Sequence, residues 1–390
     1  GIRDAQESRG LGDVYKRQAP DEILAFFTQG EEGKYFVWSL DELRSALGED
    51  AHVAIEYWGV SPRGNFEGHS ILYVPNDDAV VAARLNLSLD ELRARLETIR
   101  DRLFAIRSQR VPPGLDDKIL TAWNGMMLAS LAEAARVIQR DDYRQAAERN
   151  AEFLLARLST PAGRLLRTYK DGEARINAYL EDYANLIDGL LELYQTTFEP
   201  RWFLTARQLA ERVLEHFSAP DGGFFDTSDD HEALIVRPRN LQDNATPSGN
   251  AMMARQLIRL AAYTGEARYE DAARRTLSLL TEAMRRFPQA FGEALSATDM
   301  LVTGLDEVAI VGDRSQAQTE ALLAVVRQPY RPGVIVAQTA DDVTGEDAIP
   351  LLSYRTRRAG LPTAYVCRRF VCANPVTEPD DLRALLEKRE

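Results

Sequence analysis

The segment AYLEDYANLIDGLLELYQTTFEPRWFLTARQLAERVLEHF (residues 178–217) has an apolar pattern that occurs three times in this chain. Its second half begins at Trp202, whose equivalents in the other two copies are Tyr143 and Tyr269. Positions at fixed offsets from this aromatic are apolar in every copy: Ala147, Ala206 and Ala273; Leu154, Val213 and Leu280; Leu158, Phe217 and Met284; Leu131, Leu190 and Leu257; Met127, Leu186 and Met253. These offsets place the apolar residues on one helical face, so each copy is predicted to be two amphipathic helices joined by a short turn. The three hairpins span about Leu115–Leu158, Ala178–Phe217 and Thr246–Arg286.

Composition limits the classes of partner. The chain has 390 residues, a net charge of −13, 45% hydrophobic residues and 27% charged residues. A strongly acidic balance argues against nucleic acid, because phosphate binding needs clustered Lys and Arg. No stretch approaches the roughly 18 apolar residues that span a bilayer. We therefore expect neither nucleic acid nor a membrane as partner.

The two cysteines, Cys367 and Cys372, are too few for a disulfide scaffold. Their spacing matches neither the C-x-x-C redox motif nor half of a zinc site. We expect two buried thiols and a cytoplasmic location, since a reducing compartment is the default for such a chain.

Residues 1–18 (GIRDAQESRGLGDVYKRQ) lack apolar periodicity and are predicted to be a non-native, linker-derived tail. Residues 19–302 are predicted to form the helical-hairpin region, and residues 303–390 a small α/β region. If the hairpins belong to a closed ring of six, as argued below, three are too few to close it. We therefore expect the helical region to be truncated at its N-terminal side.

Further elements flank the hairpins. The sequence predicts a strand over Tyr35–Trp38, a helix over Leu40–Leu47 with Ser39 as its N-cap, and a long helix over Asp90–Ile106. After residue 302 it predicts three strands and two helices in alternating order, with a right-handed βαβ unit. Their predicted bounds are Val308–Val311, Ser315–Arg327, Val334–Ala337, Ala364–Cys367 and Asp380–Lys388.

The connections between hairpins are long and include the turn signal Asp171-Gly172. Repeated helix pairs either stack as a solenoid or close into a ring, and long β-bearing links favour the ring. The predicted fold is mainly α: an incomplete toroid of inner and outer helices, with inner-helix N-termini around a pocket.

Four motifs in order resemble the spermatogenesis-associated protein 20 family: GEEGKYFVW (residues 30–38), LDDKILTAWNG (115–125), LEDYA (180–184) and NATPSGN (244–250). The resemblance runs from about Gly30 to the C-terminus. It implies an (α/α)6 toroid similar to six-hairpin glycosidases and sugar 2-epimerases, preceded in the family by a thioredoxin-like domain that this chain lacks. Bacterial members are usually called thioredoxin-domain-containing proteins.

The catalytic candidates are carboxylates at predicted inner-helix starts: Asp117, Asp182 and Glu293. Acid/base glycosidase chemistry needs two carboxyl groups, one protonated and one ionised. Asp117 and Asp182 are the preferred pair, and Glu293 is a third candidate from the next hairpin. The alternative is a structural role for all three in helix capping and ion pairing.

The binding candidates lie beside these carboxylates. Trp123 could stack on a sugar face, and the amides of Asn124 and Asn250 can both donate and accept hydrogen bonds with hydroxyls. Core packing of the indole and loop tethering by the amides are the alternatives. The remaining candidates are polar or aromatic neighbours at the same helix starts: Asp116, Glu181, Tyr183 and Ser248. Thr246-Pro247 is itself predicted to start the third hairpin, with Thr246 as N-cap.

The four histidines, His52, His69, His216 and His231, lie away from the inner-helix starts and lack metal-ligand spacing. We therefore predict no metal and no cofactor, and a small sugar as the partner.

Two functions remain open on the sequence. The first is a carbohydrate-active or carbohydrate-binding toroid with glycosidase-like or epimerase-like acid/base chemistry. The second is a non-catalytic sugar-binding or interaction scaffold that supports a thioredoxin-like redox domain missing from this chain.

Overall fold

The computed structural model describes residues 27–28, 31–231, 236–328 and 330–387. The predicted tail over residues 1–18 lies outside them. The chain divides into two compact units, residues 1–117 and 118–390. Among the described residues, none of the helices has the length and apolar character needed to cross a membrane.

The described residues of the first unit include four α-helices and a short strand pair. Their bounds are α1 Leu40–Leu47, α2 Ala51–Tyr57, α3 Asp78–Leu85, α4 Leu89–Arg107, β1 Phe27–Thr28 and β2 Glu31–Glu32. Ser39 and Ser88 begin α1 and α4 with capping boxes, in which each serine and a glutamate three residues later bond reciprocally to the backbone. The apolar stripe of α4 packs into the core of this unit, as its periodicity predicts.

The predicted strand over Tyr35–Trp38 is wrong. The backbone N–H groups of Phe36 and Val37 donate to the carbonyl of Gly33, so the segment curls into a turn and only Trp38 pairs, as an isolated bridge to Ser70. Gly33 has φ +71°, which permits this turn. A local turn therefore overrides the β propensity of four aromatic and branched residues.

The second unit contains three α/α hairpins and a fourth inner helix. The inner helices are α5 Thr121–Val137, α7 Leu180–Thr197, α9 Gly249–Thr264 and α11 Gly292–Thr303. The outer helices are α6 Asp141–Arg157, α8 Pro200–His216 and α10 Ala267–Arg286. Each inner helix packs on the next inner helix and on its own outer helix. The repeat aromatics Trp202 and Tyr269 are fully buried. The predicted mainly α fold of successive α/α hairpins with a small α/β region is confirmed.

The contact between α5 and α7 depends on two glycines. A Cβ added to Gly125 would lie 2.6 Å from the carbonyl carbon of Asn185, and one added to Gly189 would lie 2.8 Å from the carbonyl oxygen of Gly125. The absence of both side chains lets the two helix backbones touch. This close contact fixes how the first two inner helices face the interior.

Two small sheets complete the second unit. β3 Ile119–Leu120 pairs antiparallel with β4 Leu166–Lys170, which forms a hairpin with β5 Glu173–Asn177 through the predicted Asp171-Gly172 turn. The C-terminal sheet has the order β7-β6-β8-β9. Its elements are β6 Asp306–Val311, α12 Ala317–Arg327, β7 Val334–Thr339, β8 Thr363–Arg368, β9 Val371–Cys372 and α13 Pro379–Glu387. β6 and β7 are parallel across α12, as the predicted βαβ unit requires.

The hairpins and the C-terminal sheet share one hydrophobic core. They also lie in one compact unit, whereas residues 19–117 belong to the other. The boundary between the compact units, after residue 117, thus differs from the predicted domain boundary after residue 302. The predicted domain organisation stays a prediction.

The expectation of two buried thiols is wrong. Cys367 and Cys372 form a disulfide bond and occupy paired positions on β8 and β9. The antiparallel register places the two side chains opposite each other, which four intervening residues do not reveal in the sequence. Cys367 is buried and Cys372 is exposed.

Candidate functional site

Asp182 is a buried structural carboxylate at the start of α7. Its Oδ1 accepts from the backbone N–H of Ala122 (2.9 Å), and its Oδ2 accepts from the N–H of Tyr179 (2.8 Å) and from Arg167 (3.1 Å). Its side chain has no exposed surface. Burial raises the pKa of Asp182 to about 6, against the lowering effects of Arg167 and the two backbone groups. This carboxylate joins the starts of two inner helices, which is the capping alternative raised by the sequence.

The neighbours of Asp182 also have structural partners. Glu181 accepts from Arg167 at 2.7 Å. The Tyr183 side chain is 1% exposed, and its hydroxyl accepts from the backbone N–H of Leu165. Helical periodicity turns the Tyr183 ring into the core one residue after Asp182, and its substrate-binding role stays a prediction.

The side-chain amides of Asn124 and Asn250 both bond to backbone groups of the protein. Asn250 is fully buried, and its amide bonds the N–H and carbonyl of Phe224 and the carbonyl of Asn240. The Asn124 amide donates to the carbonyl of Leu120. Asn250 therefore tethers the loop after α8, the second of the two roles considered for it.

Ser248, rather than Thr246, is the N-cap of α9. Its Oγ accepts from the N–H of Ala251 at 3.1 Å, and the residue is 1% exposed. Asp243 accepts from the Ser248 N–H at 2.8 Å. The Ser248 hydroxyl thus serves the helix start, and its substrate-binding role stays a prediction.

Three candidates are exposed. Trp123 lies in the first turn of α5 and is 63% exposed. Asp116 and Asp117 are exposed loop residues of the first compact unit. They precede β3 rather than the helix itself. Their proposed roles stay predictions.

The principal cavity of the second unit lies deeper, along the middle of the inner helices. It has a volume of about 440 Å³. Its walls come from α5, α7, α9 and α11, and from the segment that runs from the end of α12 into β7. Glu293, at the start of α11, is the one predicted catalytic residue among the lining residues.

Seven charged residues of this wall form a continuous chain, here called the inner-helix network. In order they alternate in sign: Glu133, Arg136, Glu192, Arg259, Asp188, Arg255 and Glu293. The chain crosses all four inner helices. Arg259 lies at its centre and contacts Asp188 at 2.8 Å and Glu192 at 2.6 Å. Its side chain is 6% exposed.

The network separates the acidities of its carboxyl groups. Burial raises the pKa of Glu293 despite the opposing effect of Arg255. Burial and the charge of Glu192 raise the pKa of Glu133. Burial would also raise the pKa of Glu192, but Arg136 and Arg259 outweigh it and hold that pKa well below its usual range. Carboxyl groups with pKa values shifted in opposite directions can serve as acid and base in one site.

Asp188 and Glu293 are close enough to act on one ligand. Arg255 contacts Asp188 through Nη2 and Glu293 through Nε, each at 3.0 Å. Because these two nitrogens belong to one planar guanidinium, the two carboxylate oxygens lie at most roughly 8 Å apart. That limit falls within the spacing of about 5–9.5 Å between the carboxyl groups of glycosidases.

A second polar group lies outside the cavity. Among the described residues, His216, Asp229 and Asp230 have possible ligand atoms all within 4.8 Å of one another. His216 pairs with Asp229 at 2.9 Å, and Arg164 already binds Asp230. Existing partners therefore account for this group, and our expectation of no metal stays a prediction.

Comparison with known proteins shows which of them the chain resembles. It is 31% identical to human (Homo sapiens) spermatogenesis-associated protein 20 over 97% of this chain and 52% of the human protein. The mouse (Mus musculus) protein of the same name is 30% identical over 98% of this chain and 52% of its own length. The predicted resemblance to the spermatogenesis-associated protein 20 family is confirmed. The chain spans about half the length of these curated relatives, and a scan of family models finds no match.

Several solved structures are similar to part of this chain. A cellobiose 2-epimerase from Spirochaeta thermophila has a TM-score of 0.36 and 14% identity over 43% of this chain and 44% of its own. A GH76 α-mannanase from Bacteroides thetaiotaomicron has a TM-score of 0.39 and 14% identity over 56% and 58%. An unsaturated glucuronyl hydrolase from Bacillus sp. GL1 has a TM-score of 0.34 and 17% identity over 62% and 66%.

In this relative of spermatogenesis-associated protein 20, the repeat pattern of the sequence also indicates the inner-helix network, at positions in the middle of the helices rather than at their starts. Glu133, Glu192 and Arg259 each follow the repeat leucine by two positions, and Asp188 and Arg255 each precede it by two. Charges at equivalent positions inside otherwise apolar inner helices mark a shared polar wall. Our prediction weighted the helix starts and so found only Glu293.

Proposed function

We propose that the cavity of the second unit binds a carbohydrate, and that Glu293 and Asp188 supply the acid and base for its conversion. The observation that carries this proposal is the inner-helix network, in which Arg255 contacts both Asp188 and Glu293 on one cavity wall. Asp117 and Asp182 formed the pair preferred from the sequence. Asp182 is committed to two helix starts, so Asp188, one and a half turns further along α7, takes its place in the proposal.

The size and polarity of the cavity support a sugar. A volume of about 440 Å³ lies at the lower end of the roughly 300–1,000 Å³ range of small-molecule sites. Carboxylates and guanidiniums on the wall provide acceptors and donors, and sugar hydroxyls are both. Phe198 and Met252 add apolar surface between the charged groups.

The chemistry needs a proton donor and an acceptor at the same ligand. Glycoside hydrolysis protonates the leaving oxygen and activates water, and epimerisation removes and returns a proton at carbon. Glu293 is suited to the donor role because burial raises its pKa. Asp188 is the acceptor within reach, held by Arg255 and Arg259.

Calorimetry with a panel of mono- and disaccharides tests binding. Release of aryl glycosides, and deuterium uptake at the sugar carbon next to the anomeric centre in heavy water, test the two reactions. We expect Glu293→Gln to lower turnover at least about 100-fold, the lower limit of general acid catalysis, and to change sugar affinity less than about threefold. Glu282→Gln is the matched control, because Glu282 is 60% exposed and far along an outer helix.

The absence of heat and of turnover with every sugar would refute the proposal. Equal turnover in the Glu293→Gln and Glu282→Gln variants would remove Glu293 from the chemistry.

A second function is a sugar-binding or interaction scaffold without catalysis, serving a thioredoxin-like domain outside this chain. The pairing of every network carboxylate with a guanidinium favours it, since ion pairs can serve structure alone. Sugar binding with no turnover in either assay would select this function.

A further inference from the structure

One side of the cavity carries two arginines that the inner-helix network does not use. Arg327 ends α12, and Arg331 lies in the connection from α12 to β7. Both line the cavity. They approach it from the C-terminal α/β region, whereas the network belongs to the inner helices.

These arginines have few acidic partners. Among the described residues, the carboxylate within 4.0 Å of Arg327 is Glu320, at 3.7 Å, and Arg314 contacts that same carboxylate at 3.0 Å. Within the same part of the chain no carboxylate lies that close to Arg331, and its buried Nε lacks a hydrogen-bond partner. Buried guanidiniums normally have anionic partners, because removing a cation from water is costly.

The local charge balance agrees with the missing partners. The network contains four carboxylates and three guanidiniums, and Arg327 and Arg331 add two more positive charges. The cavity lining is therefore net cationic in a chain whose net charge is −13. Burial and the nearby charge of Arg314 lower the pKa of Arg327 to about 10, as expected where the cation lacks sufficient compensation.

We propose that Arg327 and Arg331 bind the anionic group of a charged sugar, a carboxylate or a phosphate, whose hydroxyls face the inner-helix network. This inference rests on the proposed carbohydrate function and specifies its substrate class. Guanidiniums suit both groups because their paired N–H donors match carboxylate and phosphate oxygens.

The position of Phe198 is consistent with this arrangement. Its ring lines the cavity, and the guanidiniums of Arg327 and Arg314 lie 5.8 Å and 5.6 Å from its centroid. Cation–π contacts hold the two side chains on the ring face without neutralising their charge. The positive charge thus remains available to a ligand.

Calorimetry on the full chain at low salt tests the inference with glucose, glucuronate and glucose 6-phosphate. We expect at least one charged sugar to bind about tenfold or more tightly than glucose, an advantage that falls as salt rises. In the Arg327→Gln/Arg331→Gln double variant the ratio of charged to neutral affinity falls to about 1. Arg327→Lys/Arg331→Lys keeps the charge but loses the forked donors, so it retains part of the preference.

A control variant and a competition experiment complete the test. Arg268→Gln, on an exposed pair of the outer helices, should retain the full preference, and melting curves confirm that each variant is folded. Competition by inorganic phosphate assigns the anionic group to a phosphate, and preference for glucuronate without such competition assigns it to a carboxylate.

Equal binding of charged and neutral sugars would overturn the inference and leave the proposed function standing. An unchanged preference in the folded double-glutamine variant would also overturn it. Failure of every sugar to bind would refute the proposed function itself.

Discussion

Replacing Arg259 with methionine removes the central cation of the inner-helix network. The guanidinium contacts Asp188 at 2.8 Å and Glu192 at 2.6 Å, and its side chain is 6% exposed. Methionine keeps much of the apolar volume while it removes the charge and its hydrogen bonds. Asp188 and Glu192 would keep one guanidinium each, Arg255 and Arg136.

The expected cost follows from burial. Removing one partner of a buried ion pair destabilises a protein by about 3–5 kcal/mol, because a charge remains without compensation in a poorly hydrated site. The lower end applies here, since each carboxylate retains a second cation. The pKa of Glu192, held at about 2 by Arg136 and Arg259, gives a consistent upper limit of about 3 kcal/mol for that group.

The lowered pKa of Glu192 also predicts how the stability difference between wild type and Arg259→Met changes with pH. A carboxyl group with a lowered pKa in the folded state contributes stability above its unfolded pKa of about 4.3, and that contribution disappears as the pH falls towards 2. The difference between wild type and Arg259→Met should therefore be the same at pH 7 and pH 5.5. It should fall to roughly two-thirds at pH 3.5, where Glu192 is mostly protonated in the unfolded chain but still ionised in the folded one.

Urea denaturation followed by circular dichroism at the three pH values measures these free energies of unfolding. Arg268→Met is the control, because Arg268 and Glu211 form an exposed outer pair with side chains 49% and 39% accessible. Such a pair contributes at most about 1 kcal/mol. A cost for Arg259→Met below about 1 kcal/mol at pH 7, or one that grows at pH 3.5, would refute the argument.

Three other substitutions test the fold and the reassigned residues by the same denaturation assay. Gly125→Ala should destabilise by more than about 3 kcal/mol, because its Cβ would meet the α7 backbone at 2.6 Å. Gly292→Ala, a helical glycine with nothing within 4 Å of that position, should instead stabilise by up to about 1 kcal/mol; equal effects would exclude the proposed close contact. Asn250→Ala should cost roughly 2–3 kcal/mol by leaving backbone groups of the loop unpaired, and a cost near zero would mean that water replaces the amide. The pKa of Asp182 is raised to about 6, so its ionised form lowers wild-type stability as the pH rises above about 4. The cost of Asp182→Asn should therefore be about 2 kcal/mol smaller at pH 7 than at pH 4, and a cost that is larger at pH 7 would reverse the assigned shift.

The helical part of the fold was accessible to sequence analysis because its signal is local. The repeat pattern predicts the second hairpin to end at Phe217, and its outer helix ends at His216. Three of the four described C-terminal strands, β6, β7 and β8, were likewise predicted within two residues at each end, and β9 was not predicted. Side-chain periodicity reports helix and strand directly, since it depends only on neighbours along the chain.

The candidate site was only partly accessible. Glu293 was predicted and lies in the cavity, whereas Asp182 satisfies backbone groups of two successive hairpins. The disulfide between Cys367 and Cys372 was missed because it depends on strand register. Each error concerns a contact between elements, which residue type and spacing do not specify.

The sequence by itself determined that this chain folds as repeated helical hairpins with an α/β region after them. Apolar residues at helical spacing must leave water, and only one face of each helix can do so. Only the tertiary structure decided that the charges of Glu192, Arg259 and Glu293 meet across one cavity. Their meeting depends on how closely the inner helices approach, and at Gly125 that approach is limited by backbone contact between two helices. The position of the site is therefore a property of helix packing, while the presence of the helices is a property of the sequence pattern.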